Sequence, residues 1–185
     1  MNKHLPVIVF FSFIVSSVFA QTKSTTQLSI GGEFGLPAGQ IASVYGTVFG
    51  ASAKLEIPVF QSRAFFTITG GISDYLVKLD YTYPANAGIK TNIPPLTYIP
   101  LEIGGKYYFS KLGYFEGDLG VSNNINSNYA TAKTAFIYSP VIGFSAPTNK
   151  HTATVDIGLR YEGRVESGGT VSQFAMRVAY RFKLK

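Results

Sequence analysis

Residues 174–185 read FAMRVAYRFKLK, and Phe174, Met176, Val178, Tyr180 and Phe182 alternate in them with Ala175, Arg177, Ala179 and Arg181. A side-chain period of two is that of a β-strand, with an apolar face on one side and arginines on the other. The fold turns on which of these faces meets water. A strand that ends in Lys183, Leu184 and Lys185 leaves that question open.

The same alternation recurs along the chain. Runs rich in Phe, Tyr, Val, Ile and Thr fall at 26–36, 44–57, 64–79, 97–109, 114–121, 134–146, 152–164 and 171–183, separated by Gly, Pro and Asn clusters. The connections are of two kinds. Short ones lie at 59–63, 110–113 and 147–151, whereas 80–96 and 122–133 are long, and 37–43 and 166–170 are smaller loops on that second side. Tight turns at one end and longer loops at the other predict an all-β, eight-stranded, antiparallel up-and-down barrel.

Strand by strand, an apolar face opposes a polar one. Leu28, Ile30, Phe34 and Leu36 oppose Gln27, Ser29, Gly31, Glu33 and Gly35; Tyr45, Thr47, Phe49, Ala51, Ala53, Leu55 and Ile57 oppose Val48, Ser52, Lys54 and Glu56. Further on, Ile99, Leu101, Ile103 and Tyr107 oppose Glu102, Gly104 and Lys106, and Val155, Ile157, Leu159 and Tyr161 oppose Asp156, Arg160, Glu162 and Arg164. The third run breaks the rule: Phe66, Ile68 and Ile72 share one parity while Tyr75, Val77 and Leu79 share the other, which predicts a bulge near Gly70 and Gly71.

Two barrels fit this pattern. A soluble barrel holds its apolar faces inside around a ligand, and an outer-membrane barrel turns them to lipid. Charged residues make up 14% of the chain, against about 25% in ordinary soluble proteins, which is too few to coat a soluble surface. The polar faces interleave acids and bases with small residues: Glu33, Lys54, Glu56, Glu102, Lys106, Glu116, Asp118, Asp156, Arg160, Glu162, Arg177 and Arg181. Such a set suits a narrow interior, where opposite charges must pair. Aromatic residues gather near strand ends, at Tyr45, Phe66, Tyr107, Phe109, Phe136, Tyr138, Tyr161, Tyr180 and Phe182, as membrane-interface girdles do. The reading is therefore a transmembrane barrel whose lumen is filled by a salt-bridged network, with Arg177 and Arg181 pairing to carboxylates such as Glu33 on the first strand.

At the front of the chain, Lys3 precedes an apolar run that ends in Ser17, Val18, Phe19 and Ala20. This predicts a cleaved signal peptide over 1–20, leaving 21–185 as the barrel domain. Without cysteine there is no disulfide framework and no thiolate metal site. The net charge of +6 is scattered through strands rather than gathered in a patch, which argues against a nucleic-acid partner.

On these features the chain resembles the small eight-stranded outer-membrane β-barrel family of Gram-negative bacteria, typified by the barrel domain of outer membrane protein A and by outer membrane protein X. The resemblance implies integral residence in the outer membrane among lipid and lipopolysaccharide. It also implies recognition of the strand from Phe174 to Phe182 by the barrel-assembly machinery.

No residue set calls for catalysis, a metal or a cofactor. His151 lies in a short turn, and Glu116 and Asp118 on one strand face read as lumenal ion-pair partners rather than an acid–base couple. Asp74, Asp80, Glu162 and Glu166 are scattered and hold no metal-ligand spacing. Function then falls to the loops, where Tyr81, Tyr83, Asn124, Asn126 and Tyr129 are the candidate contacts with a cell-surface partner. The expected role is structural or adhesive; the alternatives are a narrow pore or transporter for small, even apolar, molecules and, behind it, a lipid-modifying enzyme.

Overall fold

The computed structural model describes residues 25–59, 63–78, 95–126, 133–148, 153–166 and 169–184. The chain forms β1 (Gln27–Ala38), β2 (Tyr45–Val59), β3 (Ala64–Val77), β4 (Leu96–Tyr108), β5 (Gly113–Asn124), β6 (Thr134–Pro147), β7 (Ala153–Glu166) and β8 (Gly169–Lys183), with a 3₁₀ segment at Gly39–Ser43. Each strand pairs antiparallel with the next, and β8 returns to β1 to close the barrel. The first and last strands meet from Gln27 opposite Lys183 to Ala38 opposite Ser172.

Closure is staggered. A circuit leaving β1 at Leu28 passes Leu55, Ile68, Ile103, Leu119, Tyr138, Gly163 and Ser172 and comes back to β1 at Ala38. Such a shear requires strands tilted roughly 35–45° and gives an interior just wide enough for side chains.

The apolar faces point outward. Leu101 (57% exposed), Leu159 (61%), Phe174 (62%) and Phe144 (64%) stand on the outer surface, while Glu56, Glu102, Lys106 and Arg164 are buried. A protein in water could not hold this arrangement, because burial favours the opposite sorting. It is stable where the outside is hydrocarbon, because the backbone ladders of the wall satisfy its polar groups between strands.

β3 has no bulge at Gly70 and Gly71, which pair in unbroken register with Ala53 and Ser52. Its parity never switches. Phe66, Ile68, Ile72 and Leu76 are exposed, whereas Phe65, Thr67, Thr69, Ser73 and Tyr75 are buried; Leu79 lies outside the described residues. The register shift falls instead between Tyr45 and Thr47 of β2. It turns Tyr45 into the lumen, so Tyr45 is no girdle residue but packs with Val48, Tyr75 and Tyr98.

Two prolines interrupt the wall without moving its register. The β3–β4 ladder lapses beside Pro100, resuming from Gly70–Leu101 at Ser73–Tyr98. The β6–β7 ladder lapses beside Pro140, between Tyr138–Gly163 and Val141–Arg160. Each proline keeps its pairing on the other side, with Ser122 and Gly117 respectively, since only the neighbour that would receive its missing N–H loses a bond.

Glycine sets how closely strands approach. A Cβ at Gly120 would overlap the Leu101 carbonyl oxygen and the Glu102 backbone, which cannot swing aside. Gly120→Ala is expected to destabilise the barrel by about 1–3 kcal/mol, read as a lower urea midpoint by heat-modifiable gel migration in lipid vesicles. Leu101→Arg should cost about 2–4 kcal/mol in the same assay; an unchanged midpoint would show that this face meets water.

Candidate functional site

The lumen is the site with the densest chemistry, and it is built in tiers by the inward positions of all eight strands. At the end carrying the short turns, Lys106 of β4 donates to Glu56 Oε1 of β2 at 3.0 Å and to Asp156 Oδ2 of β7 at 2.9 Å. Arg181 of β8 shares both acids, with Nη1 at 3.2 Å from Glu56 and Nη2 at 3.3 Å from Asp156. Two cations and two anions neutralise one another. Tyr114 supports Lys106, whose Nζ stands 4.0 Å from the ring centroid, and Arg181 Nη1 donates to the Tyr108 hydroxyl at 2.6 Å.

The middle tier is larger. Lys54 of β2 pairs with Glu116 of β5 and lies 3.7 Å from Asp118, which accepts from Thr67 at 2.7 Å. Arg160 of β7 reaches Glu33 of β1 at 2.7 Å, Glu162 at 2.6 Å and Glu102 of β4 at 3.5 Å. Arg177 lies 3.6 Å from Glu33 and donates to Ser52 and Ser29. Glu33 thus stands between two guanidiniums.

Toward the long-loop end the chemistry changes from ionic to aromatic. Arg164 donates to Glu162 at 3.1 Å and spreads its guanidinium over the Tyr98 ring, 3.5 Å from the centroid, with Tyr75 at 5.7 Å. A guanidinium is weakly hydrated and stacks well on aromatic faces, so it tolerates this setting. Tyr75 meets Tyr45 and Tyr98 edge to face. The aromatic layer closes over the charged tiers.

Many of these contacts join strands that are not neighbours in the wall. Lys54–Glu116 links β2 to β5, Lys106–Asp156 and Arg160–Glu102 link β4 to β7, and Arg164 of β7 lies under Tyr75 of β3. A bond between distant strands of a closed barrel has to cross the lumen. The network is therefore a set of cross-braces rather than a lining.

The charged set read from sequence lies on the lumenal faces, where ion pairs gather it into three groups: Lys54 with Glu116 and Asp118, Lys106 and Arg181 with Glu56 and Asp156, and Arg160 and Arg177 with Glu33, Glu102 and Glu162. Arg177 meets Glu33, but Arg181 reaches Glu56 and Asp156 instead, because the stagger places Arg181 opposite Ser29 rather than Glu33. Arg164 joins the network although it was not in that set; its strand parity was the available signal. Tyr75 and Tyr98 carry no such signal, because an inward aromatic breaks the rule of polar inside.

Of the candidate loop contacts, Tyr81, Tyr83 and Tyr129 lie outside the described residues, as does His151. Asn124 is corrected: it belongs to β5, which runs past 121, and is buried with 1% exposure. Its Oδ1 accepts from the Asn126 backbone at 2.8 Å, so it shapes the start of the loop rather than offering a surface. Asn126 Nδ2 donates to the Pro95 carbonyl at 2.6 Å, tying that loop to the one before β4.

No family model matches the sequence, and no curated protein does so either. Solved structures do match. Neisserial surface protein A is similar at 12% identity and a TM-score of 0.62, over 89% of this chain and 100% of that one. Ail, the attachment invasion locus protein of Yersinia pestis, matches at 15% identity and 0.54, over 87% and 100%. The outer membrane protein AlkL matches at 11% identity and 0.53, over 89% and 93%. At such identities what is shared is the fold, and it is that of small outer-membrane barrels.

Glu102 has Arg160 as its cation among the described ion pairs, whereas Glu33 keeps Arg177 and Glu162 keeps Arg164. Arg160→Met is expected to cost about 3–5 kcal/mol of stability by stranding Glu102. Adding Glu102→Gln should restore part of that loss in a double-mutant cycle of urea midpoints; strict additivity would show that the two are not coupled.

Proposed function

We propose that the chain is an integral outer-membrane protein without catalytic activity, a braced and plugged barrel that serves as a rigid platform for loop-mediated binding at the cell surface. The observation that carries this is the cross-bracing of the lumen. Among the described residues, ion pairs that join β2 to β5 and β4 to β7 cross the lumen that a solute moving along the axis would have to pass, and paired buried charges are costly to separate. The inverted polarity of the wall and the likeness to outer-membrane barrels support the location. In barrels of this kind short turns face the periplasm and longer loops the exterior, so on this reading the β3–β4 and β5–β6 connections belong to the outer side.

Ail is by its name an attachment and invasion protein, and a plugged barrel with long outer loops suits such a role here. Adhesion needs rigid display rather than conduction. The signal segment 1–20 and delivery of the closing strand to the assembly machinery belong to the same proposal, as does contact of the outer wall with lipopolysaccharide.

In planar bilayers the purified protein is expected to give no steady single-channel conductance; a reproducible open level would overturn the plugged reading. Replacing 80–94 by a short turn should leave the heat-modifiable folded band intact while abolishing binding of protein-bearing cells to epithelial monolayers. Undiminished binding would remove the adhesive role.

A further inference from the structure

We propose that the mouth of the lumen at the short-turn end is a binding vestibule for a phosphate group. The mouth is a cavity of about 600 Å³ whose lining includes Arg63, Lys111, Arg181 and Lys183 and no carboxylate. Arg63, Lys111 and Lys183 are exposed, and none has an ion-pair partner among the described contacts. The nearest acids of the tier above, Glu56 and Asp156, are already held by Lys106 and Arg181. The charged floor of the mouth is thus neutral, and the rim adds positive charge that no carboxylate among the described lining residues offsets.

The opposite end of the barrel differs. There, among the described residues, Lys78 and Lys133 stand next to the strand ends, with Asp74 near the end of β3 and Glu166 at the end of β7. The surplus at the turn end is local, and a recess lined by one sign of charge concentrates counter-ions.

The rim is also held in place. The Arg63 carbonyl accepts from Tyr108 N at 2.8 Å, which fixes the backbone before β3. Ser110 Oγ accepts from Gly113 N at 2.7 Å, which fixes the turn that carries Lys111. One guanidinium and two ammoniums set around one recess suit a group with several charged oxygens better than a single carboxylate, because each cation can take its own oxygen. The phosphate could arrive on a lipid headgroup from the adjoining leaflet or on a soluble compound. The chemistry of recognition is the same for both.

The site stands on the mouth's own residues; only the compartment it faces rests on the outer-membrane reading, so conductance and adhesion results do not bear on it. The test uses the full barrel in phosphatidylcholine nanodiscs at constant ionic strength, titrated with inorganic phosphate and followed by amide shifts. Saturable shifts at Arg63, Lys111 and Lys183 are expected, weakened about tenfold in Arg63→Gln/Lys111→Gln and unaltered in the loop-end control Lys133→Gln. Folding of each variant is checked by heat-modifiable migration. Absence of saturation, an unchanged double variant, or an equal loss in the control would each overturn the proposal. Repeating the titration with phosphatidylglycerol in the nanodisc identifies the source: a titration displaced to higher phosphate marks the headgroup as occupant, and an unchanged one marks a soluble phosphate compound.

Discussion

The pairing of β8 with β1 is the constraint from which the other features descend. Once Leu28 meets Phe182 and Ala38 meets Ser172, no strand edge remains, and a wall without edges can stand in hydrocarbon. The same closure fixes the stagger, and the stagger with eight strands fixes a bore that side chains fill. Alternate residues must then enter a space that has neither lipid nor free access to bulk water. Their chemistry has to be settled among themselves.

That settlement explains why acids and bases are interleaved on the inward faces. A lone charge in the bore would carry a desolvation cost of several kcal/mol, and a partner recovers it only with good geometry. Arg160 serves three carboxylates, and Glu33 is served by two guanidiniums. Shared partners hold Glu33, Glu56 and Asp156 each from two directions, so a brace once formed limits the rotamers of its neighbours. Desolvation offsets much of what pairing gains in such a network. The glycines on the same faces make room for it: at Gly104 a Cβ would overlap Asp118 Oδ1.

Most of the wall was legible in sequence because closure into a membrane barrel imposes a strict period of two, and runs such as Phe174 to Phe182 display it without interruption. The inward charges followed from the same parity. What parity could not supply was which charges meet. Arg181 finds Glu56 and Asp156 because of the stagger, a global quantity that no single strand encodes. The misreading of β3 has a related cause. Tyr75 and Val77 look out of phase only if the lumen is assumed polar throughout, and the aromatic layer of Tyr45, Tyr75 and Tyr98 at the loop end breaks that assumption. Asn124 was misplaced because a strand that continues beyond the membrane band loses its apolar alternation while keeping its ladder, here opposite Tyr98.

The likeness to Neisserial surface protein A and Ail at 12–15% identity follows from the same physics. The wall demands apolar residues of any identity at outward positions, and the lumen demands only that charges balance and volumes fill. Both can be met by many sequences, so the fold persists while nearly every residue changes. The ends of the barrel escape both demands. Residues there are neither pressed by lipid nor locked by braces, so the charge they carry is free to differ between the two rims, and among the described residues it does: Arg63, Lys111 and Lys183 line a mouth without carboxylates at one end, while Lys78, Lys133, Asp74 and Glu166 lie toward the other. An imbalance of charge confined to one rim is therefore not something the fold requires, because neither the apolar demand of the wall nor the charge balance of the braces reaches it.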